Sequence, residues 1–198
     1  MGYAIAKEAM LRGADVTLIS GKVNIAPVPF VKLVDVISAK DMYDEVVKAA
    51  EYSDIIIKAA AVADYRPAVV SDNKIKKKDG DMSIELTRTE DIIGTIGKNK
   101  KKEQFLCGFS METENMLENS KAKLDKKNLD MIVANNVKVK GAGFGTDTNV
   151  VTIITRNDCR ELPIMSKEEV ADEILSYIMQ LKNCLLYTSP SPRDMRRS

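Results

Sequence analysis

A run of mainly apolar residues at positions 54–61 is the feature that most constrains the fold of this chain. Parallel strands covered on both faces have near-continuous apolar sequences, so the run predicts a central parallel strand. It ends in the small-residue segment AAAVADYRP at 59–67, which the basic segment KIKKK at 74–78 follows. Ligands of open α/β sheets bind at the carboxyl ends of strands. A binding site is therefore expected here.

Strand-like and helix-like segments alternate along most of the chain. This alternation predicts an α/β fold, Rossmann-like, with a mostly parallel sheet and helices on both faces. A small hairpin excursion is predicted where residues 82–88 alternate apolar and polar side chains beside the Lys74 region. Strands are predicted at 15–20, 31–36, 54–58, 105–110, 130–134 and 150–155, and helices at 2–12, 39–52, 90–100, 112–127 and 166–181.

Both ends of the chain depart from this pattern. In a doubly wound fold the first helix follows a strand and a glycine-rich turn, but the sequence opens directly with the predicted helix. We therefore expect an N-terminally truncated domain in which the first strand and the glycine-rich loop are missing. Residues 183–198 include LLYTSPSPRD and break the composition of the rest. A domain of residues 1–182 with a non-native or disordered tail is predicted.

Composition excludes several classes of function. With 44% hydrophobic and 30% charged residues, the chain has the composition of a soluble globular protein. A net charge of +1 argues against general nucleic-acid binding. No run is long enough to span a bilayer, and no signal peptide is predicted. Three scattered cysteines and no histidine exclude histidine-dependent hydrolases and histidine-ligated metals, and they favour a reducing cytoplasm.

Several motifs occur in order along the chain. They include GYAIA at 2–6, AAVADYR at 60–66, KIKK at 74–77, GFSMET at 108–113 and KNLDMIVAN at 127–135. Together they resemble phosphopantothenate–cysteine ligase, the synthetase half of bacterial bifunctional coenzyme A biosynthesis proteins, over residues 1 to about 182. The resemblance implies a cytoplasmic enzyme that joins 4′-phosphopantothenate and L-cysteine through an acyl-cytidylate, using CTP and Mg²⁺. It also implies a homodimer formed through this domain and a decarboxylase domain fused in the intact protein.

The resemblance also implies roles for individual residues. Lys74 stands at the place of the family's essential lysine and is expected to meet phosphate charge during activation. Asp64 is expected beside the nucleotide pocket and is the nearest candidate carboxylate for magnesium, whose protein ligands are otherwise unknown. Glu90 replaces a proline of the family's nucleotide contact at a helix N-terminus. The implied nucleotide-binding residues are Ala59, Ala60, Asp64, Lys74, Glu90, Asp91, Ile92, Ile93, Phe109, Lys123 and Lys127.

Structural interpretations of the same residues stay open. Lysine runs such as 74–78 are commonly solvated hairpin tips. Lys123 and Lys127 lie four apart on one helix face, which suits either a shared polyphosphate or surface pairs with Glu118 or Asp125. Phe109 is equally compatible with a place in the core.

Two other functions also remain open. Residues 2–6 and 12–16 resemble part of an NAD(P)-dependent Rossmann oxidoreductase, but no complete GxGxxG is present, and Ser20 and Gly21 stand where an acidic ribose ligand is expected. The third interpretation is a non-catalytic, dimerising α/β module. Its interface would include residues 141–147 and 150–155.

Overall fold

A computed structural model describes residues 1–71, 73–74, 82–111, 116–135 and 146–188, with side chains except at 116 and 183–188. Helices and strands alternate over most of this part of the chain. The helices are α1 Gly2–Leu11, α2 Ala39–Ala50, α3 Ile92–Asn99, α4 Met116–Lys126 and α5 Lys167–Thr188. The strands are β1 Thr17–Gly21, β2 Lys32–Val36, β3 Ile55–Lys58, β4 Tyr65–Pro67, β5 Leu86–Arg88, β6 Phe105–Met111, β7 Met131–Asn135, β8 Thr148–Asn149, β9 Val151–Ile154, β10 Cys159–Glu161 and β11 Met165–Ser166.

The largest sheet has five strands in the order β10-β9-β7-β6-β3. Strands β3, β6 and β7 are parallel, whereas β9 is antiparallel to β7 and β10 is antiparallel to β9. Strands β1 and β2 form a separate parallel pair. The predicted mixed α/β fold with a mostly parallel central sheet is confirmed.

Strand β3 lies at the edge of the five-stranded sheet and not at its centre. Within the described residues its only strand partner is β6, and all four of its residues are partly exposed. The prediction of a central strand is therefore wrong for this part of the chain. The strand is nevertheless apolar because helices cover both of its faces: Ile55 and Ile57 pack in one core cluster and Ile56 in the other.

The two core clusters lie on opposite faces of the sheet. Alternate residues of β6 enter different clusters, with Phe105 and Cys107 on the face covered by α1 and α5, and Leu106 on the face covered by α3 and α4. Each fully buried aliphatic side chain contributes roughly 1.5–3 kcal/mol relative to exposure. The layer with α3 and α4 holds helix α3 against β3 and β6.

The hairpin excursion is present, but its strands differ from the prediction. Strand β5 pairs in antiparallel register with β4, so that Tyr65 faces Arg88 and Pro67 faces Leu86. Residues 82–85 are outside the strand, and Lys74 lies in the segment between the two strands. The pairing begins beside the small-residue segment, where the Thr89 amide donates to the Asp64 carbonyl at 2.9 Å.

Helix α5 has the N-terminal capping box that its sequence predicts. The Glu169 amide donates to Ser166 Oγ at 3.2 Å, and the Ser166 amide donates to Glu169 Oε2 at 2.8 Å. The helix continues past the predicted end at residue 181 because no glycine or proline follows before Pro190. No helix in the described ranges is both long and apolar enough to span a membrane.

A shielded ion pair joins the end of α3 to the starts of β6 and β7. Lys100 Nζ donates to the two carboxylate oxygens of Asp130 at 2.8 and 2.7 Å, and its side chain is only 9% exposed. Asp130 also accepts a hydrogen bond from the Leu106 amide at 2.7 Å. The pair therefore links three elements that carry the site described below.

Replacing Asp130 tests this link. Asp130→Ala leaves the Lys100 ammonium shielded and unpaired, and we expect it to lower the free energy of unfolding by about 3–5 kcal/mol, measured by urea denaturation. Asp44→Ala is the control, because Asp44 pairs with Lys40 on the surface, where such pairs contribute about 1 kcal/mol or less. Equal small losses in both variants would contradict the structural role of Asp130.

Candidate nucleotide-binding site

The candidate site lies where β3 ends and β4 begins. Ala59 is partly buried, and Ala60 and Asp64 are exposed. Helix α1 starts beside them, since a Cβ atom added to Gly2 would stand 3.8 Å from the Ala59 Cβ. Small side chains at a strand end allow a ligand to approach the backbone, so the predicted position of Ala59 and Ala60 at the carboxyl edge of the sheet is what the structure shows.

The N-terminus of helix α3 forms a second wall of the site. Asp91 is the N-cap residue, and its Oδ1 accepts a hydrogen bond from the Gly94 amide at 3.1 Å. Ile92 and Ile93 are 2% and 7% exposed. Their side chains anchor the helix in the core, so only their backbone can contact a ligand. Amides of a first helical turn lack intrahelical partners and attract anions.

Lys127 reaches this helix terminus from the end of α4. The two ends of Lys127 contact different parts of α3. Its Nζ lies 3.1 Å from Asp91 Oδ1, whereas its backbone carbonyl oxygen lies so close to Gly97 that a Cβ atom on Gly97 would collide with that oxygen. Gly97 follows Asp91 by six residues, or about 9 Å along a helix, so the lysine side chain extends along α3. Asn128, with a φ of 49°, fixes the turn by donating to the Gly97 carbonyl at 2.9 Å.

The Lys127 contact differs from the surface pairing that the sequence suggested for this lysine. Its ion-pair partner is Asp91, not Glu118 or Asp125, and Asp125 instead contacts Arg156 at 3.3 Å. Lys123 is exposed on α4, and its carbonyl accepts a hydrogen bond from the Lys127 amide at 3.0 Å.

Lys58, the last residue of β3, adds a second cation that the sequence analysis missed. Its Nζ donates to the Ala60 carbonyl at 3.1 Å. Burial lowers the pKa of Lys58, the nearby Lys127 charge lowers it further, and Asp91 and Asp64 act in the opposite direction. The available signal was a lysine inside a run of isoleucine and alanine, at the point where the strand ends.

The same group of charges acts on Asp91. Burial works to raise the pKa of Asp91, but the Lys127 ammonium and the Gly94 amide outweigh it, and the pKa lies below its usual value. Asp91 is therefore held as the carboxylate. Two lysines and two carboxylates thus share one electrostatic environment at the carboxyl edge.

The base of the β4–β5 hairpin contains polar atoms without partners. Arg66 and Glu90 form an ion pair at 3.5 Å. Within the described ranges Arg66 Nε, Glu90 Oε2 and Thr89 Oγ1 are shielded from solvent and make no hydrogen bond. Glu90 is thus held by Arg66 beside the N-terminus of α3. Unsatisfied polar atoms of this kind require a partner, such as a ligand or water.

Other predicted residues are not brought into this group by side-chain contacts. Lys74 is exposed and makes no hydrogen bond or ion pair with another described residue; residues 75–78 of its motif lie outside the described ranges. Phe109 is partly buried and packs toward the α1–α5 face, whereas Lys127 lies along α3. A ligand would have to cross the carboxyl edge of the sheet to contact both.

The described residues contain no cluster of three or more metal-binding side chains. Asp91 is engaged with Lys127 and the Gly94 amide. Asp64 is exposed and can supply a single carboxylate ligand. One available carboxylate suits a cation whose other ligands are water molecules or oxygen atoms of a bound substrate.

Gly97→Ala tests the packing that positions Lys127. The added methyl group collides with the Lys127 carbonyl, and we expect the free energy of unfolding to fall by about 1–3 kcal/mol, measured by urea denaturation. Gly21→Ala is the matched control, because nothing lies within 4 Å of a Cβ at Gly21. Unchanged stability in Gly97→Ala would show that α3 and the end of α4 are not held this closely.

The chain resembles known proteins over nearly its whole length. Residues 1–181 match the family described as DNA/pantothenate metabolism flavoprotein C-terminal domain. Over 183 residues, 91% of this chain, it is 51% identical to the coenzyme A biosynthesis bifunctional protein CoaBC of Bacillus subtilis (strain 168), covering 45% of that protein. It is 40% identical to the CoaBC protein of Vibrio vulnificus (strain YJ016), with 91% and 46% covered. The chain thus spans about half the length of these curated relatives.

Solved structures agree with this assignment. The C-terminal domain of a coenzyme A biosynthesis bifunctional protein CoaBC superposes with a TM-score of 0.76 at 45% identity, covering 91% of this chain and 83% of that one. The DNA/pantothenate metabolism flavoprotein from Streptococcus pneumoniae shares the fold at 22% identity, with a TM-score of 0.75 and coverages of 90% and 86%. The chain belongs to the DNA/pantothenate metabolism flavoprotein C-terminal domain family.

Proposed function

We propose that this chain is the phosphopantothenate–cysteine ligase part of a coenzyme A biosynthesis protein. CTP activates the carboxylate of 4′-phosphopantothenate as an acyl-cytidylate, and pyrophosphate leaves. The amine of L-cysteine then attacks the acyl carbon, loses a proton and displaces CMP. The observation that carries the proposal is the convergence of Lys58, Lys127 and the α3 N-terminus on the small residues after β3. The relatives with CoaBC names support it.

This reaction needs positioning and charge stabilisation but no protein nucleophile. Ala59 and Ala60 leave room for the nucleotide beside the backbone, and the α3 amides face its phosphates. Lys127 neutralises phosphate charge from a fixed position, whereas Lys74 does so from an exposed segment. A chain with no histidine can perform such chemistry because the attacking amine belongs to the substrate.

Magnesium, when bound with CTP, neutralises charge on the triphosphate. The described residues offer Asp64 as an exposed carboxylate and no dedicated cage. Mg²⁺ commonly keeps several waters and is bound through one or two carboxylates together with substrate phosphates. The donors present therefore fit an ion that is held mainly by the nucleotide.

The oxidoreductase alternative is not favoured by the residue at the expected ribose position. Ser20 is 7% exposed, its Oγ accepts from the Tyr3 hydroxyl at 3.2 Å, and it donates to the Gly21 carbonyl at 2.8 Å. A buried serine engaged in this way offers no acidic group to a ribose 2′-hydroxyl.

We also propose a cytoplasmic homodimer and fusion to a decarboxylase domain in the intact protein. The interface is predicted to include residues 150–155, of which the β9 residues Val151–Ile154 have side chains buried in the chain's own sheet. Residues 141–145 lie outside the described ranges. Light scattering should give twice the 21.9 kDa chain mass. A monomer at every concentration tested would contradict the homodimer.

Nucleotide titration tests the ligase proposal. In calorimetry with magnesium present, we expect the chain to bind CTP in preference to ATP and NADPH. Removing a charge-assisted contact in Lys74→Gln or Lys127→Gln should weaken CTP binding about tenfold or more. Lys98→Gln, an exposed lysine in the last turn of α3, should not change it.

The other outcomes of this titration are also decisive. Binding of NADPH without CTP would favour the oxidoreductase, and binding of none of the three would contradict the proposed nucleotide site. Release of CMP and pyrophosphate with phosphopantothenate and cysteine is the second readout.

A further inference from the structure

We propose that Lys58 is a further substrate-positioning residue of this site, whose ammonium binds a phosphate or carboxylate oxygen of a bound substrate. The inference rests on the proposed ligase function, since it concerns the same site. It goes beyond the resemblance, because Lys58 belongs to none of the residues that the resemblance assigns.

The position of Lys58 in the sheet directs its side chain toward α3. Residues two apart on a strand face the same side, and Ile56 packs in the cluster formed with α3 and α4. Lys58 is in register with Gly108 on β6. A Cβ on Gly108 would stand 2.8 Å from Ile93 Cδ1, so the glycine lets the first turn of α3 lie close to the strand pair from which Lys58 extends.

The charge of Lys58 is only partly compensated. Its Nζ donates to a neutral acceptor, the Ala60 carbonyl at 3.1 Å, and no described carboxylate lies within ion-pair distance of this nitrogen. Lys127, by contrast, has Asp91 at 3.1 Å. A partly buried cation without a counterion is unfavourable. An anionic oxygen bound beside Ala60 would complete its contacts.

The surrounding charges favour a ligand with more than one negative charge. The carboxylates of Asp64 and Asp91 attract the Lys58 ammonium through space, whereas the Lys127 ammonium repels it. An anion placed between Lys58 and Lys127 would relieve the repulsion between the two lysines and would be covered by the N-terminus of α3. The triphosphate of CTP and the phosphate or carboxylate of 4′-phosphopantothenate share this chemistry, and the test separates them.

A purely structural role predicts a different result. Lysine stems often cover apolar surface, and the bond to the Ala60 carbonyl could simply shape the loop after β3. Lys58→Met keeps the stem and removes the charge, whereas Lys58→Arg keeps the charge. If the role is structural, Lys58→Met changes the urea unfolding midpoint and leaves the affinity of the folded protein for substrates unchanged.

The experiment is a calorimetric titration of the parent chain and both variants with CTP and magnesium, and separately with 4′-phosphopantothenate. We expect Lys58→Met to lose about tenfold in affinity for one of these ligands, with Lys58→Arg close to the parent and unfolding midpoints alike. A loss for CTP assigns Lys58 to the triphosphate, and a loss for 4′-phosphopantothenate assigns it to the acid substrate. Lys98→Met is the control and should bind both like the parent.

Two negative outcomes are distinguishable. If Lys58→Met binds CTP and 4′-phosphopantothenate with the same affinities as the parent chain, the role of Lys58 is overturned and the ligase proposal stands. If the parent binds neither ligand, the proposed function fails and the Lys58 inference fails with it.

Discussion

The close packing of helix α3 against strand β6 and the end of α4 is the constraint on which the candidate site depends. Side chains at Gly97 and Gly108 would meet the Lys127 carbonyl and Ile93, respectively. Because both residues are glycines, α3 packs closely against the sheet, with its N-terminus at the carboxyl edge. The same packing places the backbone of Lys127 where its extended side chain reaches Asp91. Cation, helix terminus and strand end are therefore positioned by one set of backbone contacts.

Electrostatics give this arrangement its chemical character. Asp91 caps α3 and neutralises Lys127 at the same time, so the edge is not strongly cationic when no ligand is bound. Lys58 has no such counterion in the described part of the chain. A polyphosphate entering this edge would meet one cation that is already paired and one that is not. Such a site suits a reaction in which charged substrates must be oriented and no side chain attacks.

The sequence predicted the order of helices and strands along the chain better than it predicted which strands lie next to each other in the sheet. Apolar runs and the Ser166–Glu169 capping box carry local signals, and the structure contains these elements. The edge position of β3 was missed because apolar composition reports coverage by helices, not the number of strand partners. The strands β8, β10 and β11, each of two or three residues, are too short to show a period.

The residues of the candidate site were predicted better than the contacts between them. Asp91 and Lys127 were identified by resemblance, but their ion pair joins residues 36 apart in sequence and depends on the packing at Gly97. Lys58 was overlooked because it lies between isoleucines and alanines, and the segment was interpreted as a single apolar run. For Lys74 the sequence offered a solvated hairpin position as one interpretation, and the residue is exposed.

Mapping amide chemical shifts during a CTP titration, with magnesium present, tests most directly the claim that the carboxyl edge binds a nucleotide. Isotope-labelled protein should show its largest changes at residues 58–64, 91–94 and 127, around β3, α3 and the end of α4. Saturable changes centred instead on β10 and α5, or none at all, would contradict the account.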